Sequence, residues 1–391
     1  MGRPKAFTNF WKANQELLSL MSNNALYNLQ QDAIVLLKQL IACPSFSKEE
    51  HGTATLIENF LKDKGVKTYR YLNNVWALNQ QYLAGRPTIL LNSHHDTVKP
   101  NKGYTLDPFS PVVKDEKLFG LGSNDAGGCL VSLIATFLHF YEAQDLQYNI
   151  VLAATAEEEI SGKNGIEGLL QSEEFLRSIG NHESNRFDNW SAIVGEPTQM
   201  QLAVAEKGLM VLDCMAHGKA GHAARNEGEN SIYKAMKDIE WVSAFQFPKV
   251  SQFLGPVKMS VTSIETENKA HNVVPSQCSF IIDVRLNELY TMQEVQDIIR
   301  EHVLSEFKPR STRMRSSSIA LDHPLVKAGL ALGKTPYGSP TTSDKALMPF
   351  GALKMGPGDS ARSHTADEYI YVHEIESGID LYIQLLNQVV R

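Results

Sequence analysis

TILLNSHHDT, residues 88–97, decides how this chain folds. Its first half carries the apolar run Ile89, Leu90 and Leu91. That suits a central strand covered on both faces better than an alternating, half-exposed one. Polar residues follow, and His94 and Asp96 stand two apart at the end of the run. A strand period of two puts them on the same face. An aspartate so placed can accept the second ring N–H of a metal-bound histidine and fix its tautomer. A polar strand end is common, so the weight rests on what recurs along the chain.

Upstream, residues 29–42 and 52–64 carry apolar positions at helical spacing, with Pro44 and Ser45 between them. Residues 74–79 read as a strand. Downstream, residues 128–142 (GCLVSLIATFLHFYE) form a buried helix after a glycine pair, and 148–155 and 191–195 are short apolar strands. Strands alternating with helices predict an α/β fold with a mostly parallel sheet. The texture changes near 202. Residues 202–216, 256–265 and 277–286 alternate in the antiparallel manner, while 229–244 and 291–306 are helical. Helical spacing returns at 325–333 and 373–390. The expectation is a discontinuous catalytic domain, 1–205 plus 320–391, with an inserted α+β lid or dimerisation domain at 206–319.

Composition bounds the function. The chain has 391 residues, 43% hydrophobic and 21% charged, which are globular values. Lys and Arg number 37 against 44 Asp and Glu, a net charge of −7, without a basic stripe. Nucleic acid is therefore not an expected partner. No run approaches 18 apolar residues, so no membrane span is expected. Cys43, Cys129, Cys214 and Cys278 lie far apart with no CxxC pair, which fits a reducing, cytoplasmic setting. Residues 1–20 lack a continuous apolar region and read either as an upstream extension or as a short extra helix.

Four more stretches carry chemistry. LGSNDAGG (121–128) sets Asp125 among glycines that allow close backbone approach. It has neither GK[ST] nor GxGxxG, so a phosphate loop is not indicated. TAEEEISG (155–162) puts Glu157, Glu158 and Glu159 directly after an apolar strand. Three like charges at a buried strand end are costly unless something positive meets them. Adjacent side chains diverge, so one can bind a metal while its neighbour faces a substrate. IVGEPT (193–198) places Glu196 past another apolar strand, and GPGDSARSHTADE (356–368) carries His364 in a Gly/Ser-rich loop. Open α/β sheets turn their strand ends toward one crevice. His, Asp and Glu donors without thiolate suit zinc or a similar divalent ion. Charge balance among Asp125, Glu159 and Glu196 favours two ions.

Taken in order over about residues 30–391, these motifs resemble the metallohydrolase family of acetylornithine deacetylase, succinyl-diaminopimelate desuccinylase, aminoacylase and carboxypeptidase G. HHDT is similar to the family's H-x-D, GSNDAGG to its metal-bridging Asp loop, EEE to its D/E-E-E, GEPT to its E/D-P-T/S and SHTADE to its H-T-x-D-E. The resemblance implies two Zn2+ ions, with Co2+ as a substitute. Asp125 would bridge them, His94 and Glu196 would complete one ion, and Glu159 and His364 the other. Asp96 would orient His94. Glu158 would be the general base, taking a proton from the attacking water and passing it to the leaving amine. A non-proline cis peptide is expected at Asp125–Ala126.

Two further motifs lie in the insert. GKAGHAARNEGENSI (218–232) resembles the family's G-x-x-x-H…G-x-N segment, implying that His222 reaches a partner subunit's site in a homodimer and stabilises the oxyanion. It lacks the usual proline after the histidine and is about one residue shorter. AHNVVP and DVR resemble the family's N-V-I/V-P and D-x-R, which implies that Asn272 is a substrate or oxyanion contact and Arg285 either a substrate contact or a salt bridge within the sheet. Arg362 and Lys207 are candidates for a substrate carboxylate. The resemblance implies a deacylase of small Nα-acyl amino acids, N-acetylornithine or an N-acyl-citrulline in arginine biosynthesis. A dipeptidase, aminoacylase or succinyl-diaminopimelate desuccinylase on the same site is the rival.

Overall fold

A computed structural model describes residues 24–180, 187–225 and 227–391; residues 1–20 lie outside them. The fold is mixed α/β with a mostly parallel central sheet. The chain divides into two compact units. The first comprises Met1–Leu202, Lys327–Thr335 and Lys354–Arg391, and the second Ala203–Val326 and Pro336–Leu353.

In the first unit the strand order is Thr68–Tyr71, Asn74–Leu78, Asn149–Thr155, Thr88–His94, Trp190–Val194. The last three are parallel neighbours, with Leu90 opposite both Val151 and Ala192. Every residue of Thr88–His94 and of Asn149–Thr155 is buried. Burying a Leu, Ile or Val side chain is worth roughly 1.5–3 kcal/mol, so these runs anchor the unit. Helix Gly128–Phe140 is buried nearly all round and packs on both the sheet and the last helix, Val372–Val390. Parallel alignment has one consequence for function. The C-terminal ends of three strands fall at the same edge, and His94, Glu158, Glu159 and Glu196 stand at or just past them.

The second unit holds a four-stranded antiparallel sheet ordered Lys258–Thr266, Gln277–Leu286, Gly208–His217, Glu306–Pro309. Burial alternates along both central strands, so one face carries Met210, Leu212, Phe280, Ile282 and Val284. Helices Ser231–Ala244 and Met292–His302 bring Val242, Val295 and Ile299 to that core. The second helix is shorter than the expected 291–306. Buried Asp238 accepts Leu304 N–H at 3.1 Å and Ser305 N–H at 2.9 Å. This draws the chain out of the helix, and residues 306–309 pair with Gly208–His217 instead.

Among the described residues, no helix is long and apolar enough to cross a membrane.

Candidate metal centre

Each strand end delivers its side chain for a local reason. His94 closes its strand with its ring buried. Its Nδ1 lies 3.0 Å from the Asp96 carbonyl oxygen and 3.4 Å from Asp96 Oδ1. That pairing leaves Nε2 facing Asp125 Oδ1 at 3.4 Å, Glu196 Oε1 at 3.7 Å and Glu158 Oε2 at 4.0 Å. The neighbouring His95 has both nitrogens occupied, by Thr53 Oγ1 and the Asn73 carbonyl, each at 2.9 Å. Burial drives its pKa to about 4. It is a neutral, satisfied core histidine.

The three glutamates diverge as their adjacency demands. Glu157 has φ 56° and turns inward, where its carboxylate accepts Asn164 N–H and Nδ2–H. The following turn, Glu158–Ile160, points Glu158 toward His94 and Glu159 toward His364. Asp96 fixes this turn from below. Its two oxygens accept Glu158 N–H at 3.1 Å, Glu159 N–H at 3.2 Å and the Ser47 hydroxyl at 2.7 Å. One buried carboxylate thus sets both the imidazole and the acidic turn. Glu196 follows Gly195, where a Cβ would come within 2.8 Å of Leu133 Cδ1 and 3.2 Å of Cys129 and Ser93 Cβ, so the glycine lets the strand end pack closely there.

Asp125 sits in the irregular loop Ser123–Gly127, and the Asp125–Ala126 peptide is cis, where the sequence resemblance expected it. Gly122 enters this loop at φ 74°, a conformation that favours glycine. Asp125 turns Oδ1 toward His94 and Oδ2 toward His364 Nε2, the latter at 3.6 Å. His364 Nε2 is also 3.1 Å from Glu159 Oε2. Among the described residues, two overlapping clusters have converging donor atoms: His94 with Glu158 and Glu196, and His94 with Asp125 and Glu159.

The electrostatics ask for positive charge. Burial depresses the His94 imidazole, but Asp125 and Asp96, then Glu158 and Glu196, outweigh it and hold its pKa well above the ordinary histidine value. His364 is pushed up to about 9, first by its hydrogen bond to Glu159. Burial would raise the Asp125 carboxyl, yet the two imidazoles hold it below its usual range. Carboxylate and imidazole donors without thiolate fit hard or borderline divalent cations. The residues present therefore fit a metal centre.

Glu368 and Asn124 belong to the same assembly, although only their motifs drew attention in sequence. Buried Glu368 accepts Asn124 N–H at 2.8 Å, Asp125 N–H at 2.9 Å and Gly122 N–H at 3.1 Å. Burial raises its pKa to about 7 against those donors. The Asn124 side chain ties the Asp125 loop to the His364 loop, donating to the Asp359 carbonyl and Ser363 Oγ and accepting Asp359 N–H. Nothing in the local sequence marks which acid of ADE turns inward.

His222 and Asn272 meet within the second unit. Gly221–His222 pairs with Val273–Val274, and Ala223 N–H donates to the Asn272 carbonyl at 3.0 Å. Ala224 N–H donates to His222 Nδ1, so the proton of the neutral ring sits on exposed Nε2. Arg285 makes two bonds to Asp283, at 2.8 and 3.0 Å, across from Lys258. Arg362 donates both terminal nitrogens to Glu374 and lies over Tyr369 and Tyr371. Its guanidinium is thus already engaged, which works against the suggested role in binding a substrate carboxylate.

Comparison with known proteins agrees with this geometry. Residues 90–388 match the profile of Peptidase family M20/M25/M40. Succinyl-diaminopimelate desuccinylase 2 of Ruegeria sp. (strain TM1040) is 25% identical over 69% of this chain and 69% of its own length. The succinyl-diaminopimelate desuccinylase of Stenotrophomonas maltophilia (strain R551-3) is 24% identical over 90% and 97%. Aminopeptidase PepT from Bacillus cereus superposes with a TM-score of 0.72 at 16% identity, covering 92% of this chain and 98% of its own. A Bacillus subtilis protein described as a dinuclear metal binding peptidase from the M20 family gives 0.66 at 16% identity, covering 92% and 99%. The chain belongs to Peptidase family M20/M25/M40 and is a hydrolase of amide or peptide bonds.

Proposed function

We propose that the protein removes the acyl group from a small Nα-acyl amino acid at a centre holding two divalent cations, zinc by preference and cobalt as a substitute. The observation that carries this reading is the Asp125 carboxylate, which turns one oxygen toward His94 and the other toward His364. On this reading Asp125, His94 and Glu196 would hold one cation, and Asp125, Glu159 and His364 would hold the other. Such a pair supplies Lewis acidity, lowering the pKa of a water and polarising the scissile carbonyl.

The rest falls to this chain's own side chains. Glu158 Oε2 lies 4.0 Å from His94 Nε2 and its amide is anchored on Asp96, so its carboxylate is within reach of the proton of the attacking water. It then returns that proton to the leaving nitrogen, releasing a carboxylate and a free α-amine. Asp96 keeps His94 Nε2 turned toward the centre. His222, with its proton on Nε2, donates to the tetrahedral oxyanion, and Asn272 contacts the same end of the substrate. In this account the inserted segment 206–319 acts as lid and dimerisation domain, and a homodimer brings His222 to its partner's site. Arg285 contacts the substrate or serves the sheet through Asp283.

The substrate reading is N-acetylornithine or an N-acyl-citrulline, which would place the reaction in arginine biosynthesis. The names of the curated relatives favour a second reading, N-succinyl-diaminopimelate. A kinetic panel with zinc or cobalt separates them: N-acetylornithine, N-acetylcitrulline, N-succinylcitrulline, N-succinyl-diaminopimelate and simple dipeptides. A kcat/KM at least tenfold higher on an acetylornithine or acylcitrulline substrate supports the first reading. Preference for the diaminopimelate supports the second, and preference for dipeptides overturns both.

A further inference from the structure

Glu368 is 2% exposed, and its carboxylate accepts three backbone amides of one loop. Those amides belong to Gly122, Asn124 and Asp125, in a stretch where no regular helix or strand supplies acceptors for them. The backbone of Glu368 grips the same stretch from the other side, since its carbonyl accepts Gly120 N–H at 3.0 Å. Glu368 also lies four residues after His364, at the entrance to the strand Tyr369–Tyr371, whose pairing with Lys117–Phe119 fixes its position.

We propose that Glu368 is a positioning residue for the dinuclear centre: its carboxylate fixes the backbone of residues 122–125 and so sets where the two oxygens of Asp125 point. The inference rests on the two-cation reading above. A bridging carboxylate must face two ions at once, and centres of this kind tolerate only about 0.5 Å of displacement. The Asp125 side chain starts one bond from the N–H that Glu368 holds. A shift of that amide swings both oxygens together, weakening both cation sites. Because one short segment carries His364 and Glu368, the ligand and the cradle of the bridge move as a unit.

The test is cobalt titration of the metal-free protein, read by visible absorption. Glu368→Gln keeps the volume but turns an N–H donor toward one of the three amides. Asp367→Asn is the control. Asp367 accepts the amides of Thr105 and Leu106 and does not touch the Asp125 loop. Wild type should take up two cobalt ions. E368Q should bind the second at least tenfold more weakly with a shifted absorption band, and lose about tenfold in kcat with KM within twofold. D367N should keep the wild-type spectrum. If E368Q does not fold, Glu368→Asp, which withdraws the charge by one methylene, is read the same way. A wild type that binds two ions alongside an E368Q of identical spectrum and affinity overturns the inference. A wild type that does not bind two ions overturns the proposed function instead.

Discussion

Replacing Asp96 by asparagine isolates the residue on which two parts of the centre depend. The side chain is fully buried, and the substitution preserves its volume. In the native protein its oxygens accept the Glu158 and Glu159 amides, at 3.1 and 3.2 Å, and the Ser47 hydroxyl at 2.7 Å. In D96N one oxygen becomes an NH2 group. The Ser47 hydroxyl can rotate and accept from it, but a backbone N–H cannot. One partly buried amide therefore loses its acceptor, at a cost of about 1–3 kcal/mol. At about 2–4 °C per kcal/mol for a domain of this size, the metal-free melting point should fall by about 2–12 °C. The same distortion moves His94 and the acidic turn, so zinc affinity should fall about 10–100-fold, the usual effect of losing a partner behind a metal ligand. Melting by circular dichroism and zinc competition against a chromophoric chelator measure the two effects. Wild-type values in both would refute the argument that Asp96 holds the imidazole and the turn together.

Other outcomes follow from the same geometry. Glu158→Ala should keep its metal content and lose about 100- to 10,000-fold in kcat, as measured by steady-state assay beside elemental analysis; near-full activity would remove the base assignment. In metal-free protein, His364 should titrate near pH 9, followed by NMR of labelled histidines. Its charge then stabilises the fold fully below about pH 6.5, and that contribution fades as pH rises through 9. Protons compete with the metal over the same window, so zinc affinity should climb with pH up to about 9. A His364 that titrates near 6.5 contradicts this.

Much of the core was legible because its signals are local. Residues 89–91 (ILL) and 150–154 (IVLAA) are continuous apolar runs, and both lie in fully buried parallel strands. Once those strands are parallel neighbours, the residues just beyond them share one edge, which is why His94, Glu158, Glu159 and Glu196 could be grouped from sequence. What failed to show depends on distant partners. The helix 291–306 reads as continuous by periodicity, yet Asp238, more than sixty residues earlier, pulls residues 304 and 305 away. The ion pair of Arg362 with Glu374 has no local mark, since Glu374 lies in the next helix. Glu368 carries no local mark either, since an acid that caps three backbone amides looks in sequence like any exposed one. The spacing to Asp96 singles out His94 in sequence, but that His95 is a satisfied core residue shows only once Thr53 and Asn73 occupy its ring.

The central idea is a pair of cations astride one aspartate, and diffraction at the zinc absorption edge from crystals of zinc-loaded protein tests it most directly. The account predicts two anomalous peaks about 3.5–4 Å apart, one between Asp125 and His94 and one between Asp125 and His364. A single peak, or none within reach of Asp125, would contradict it.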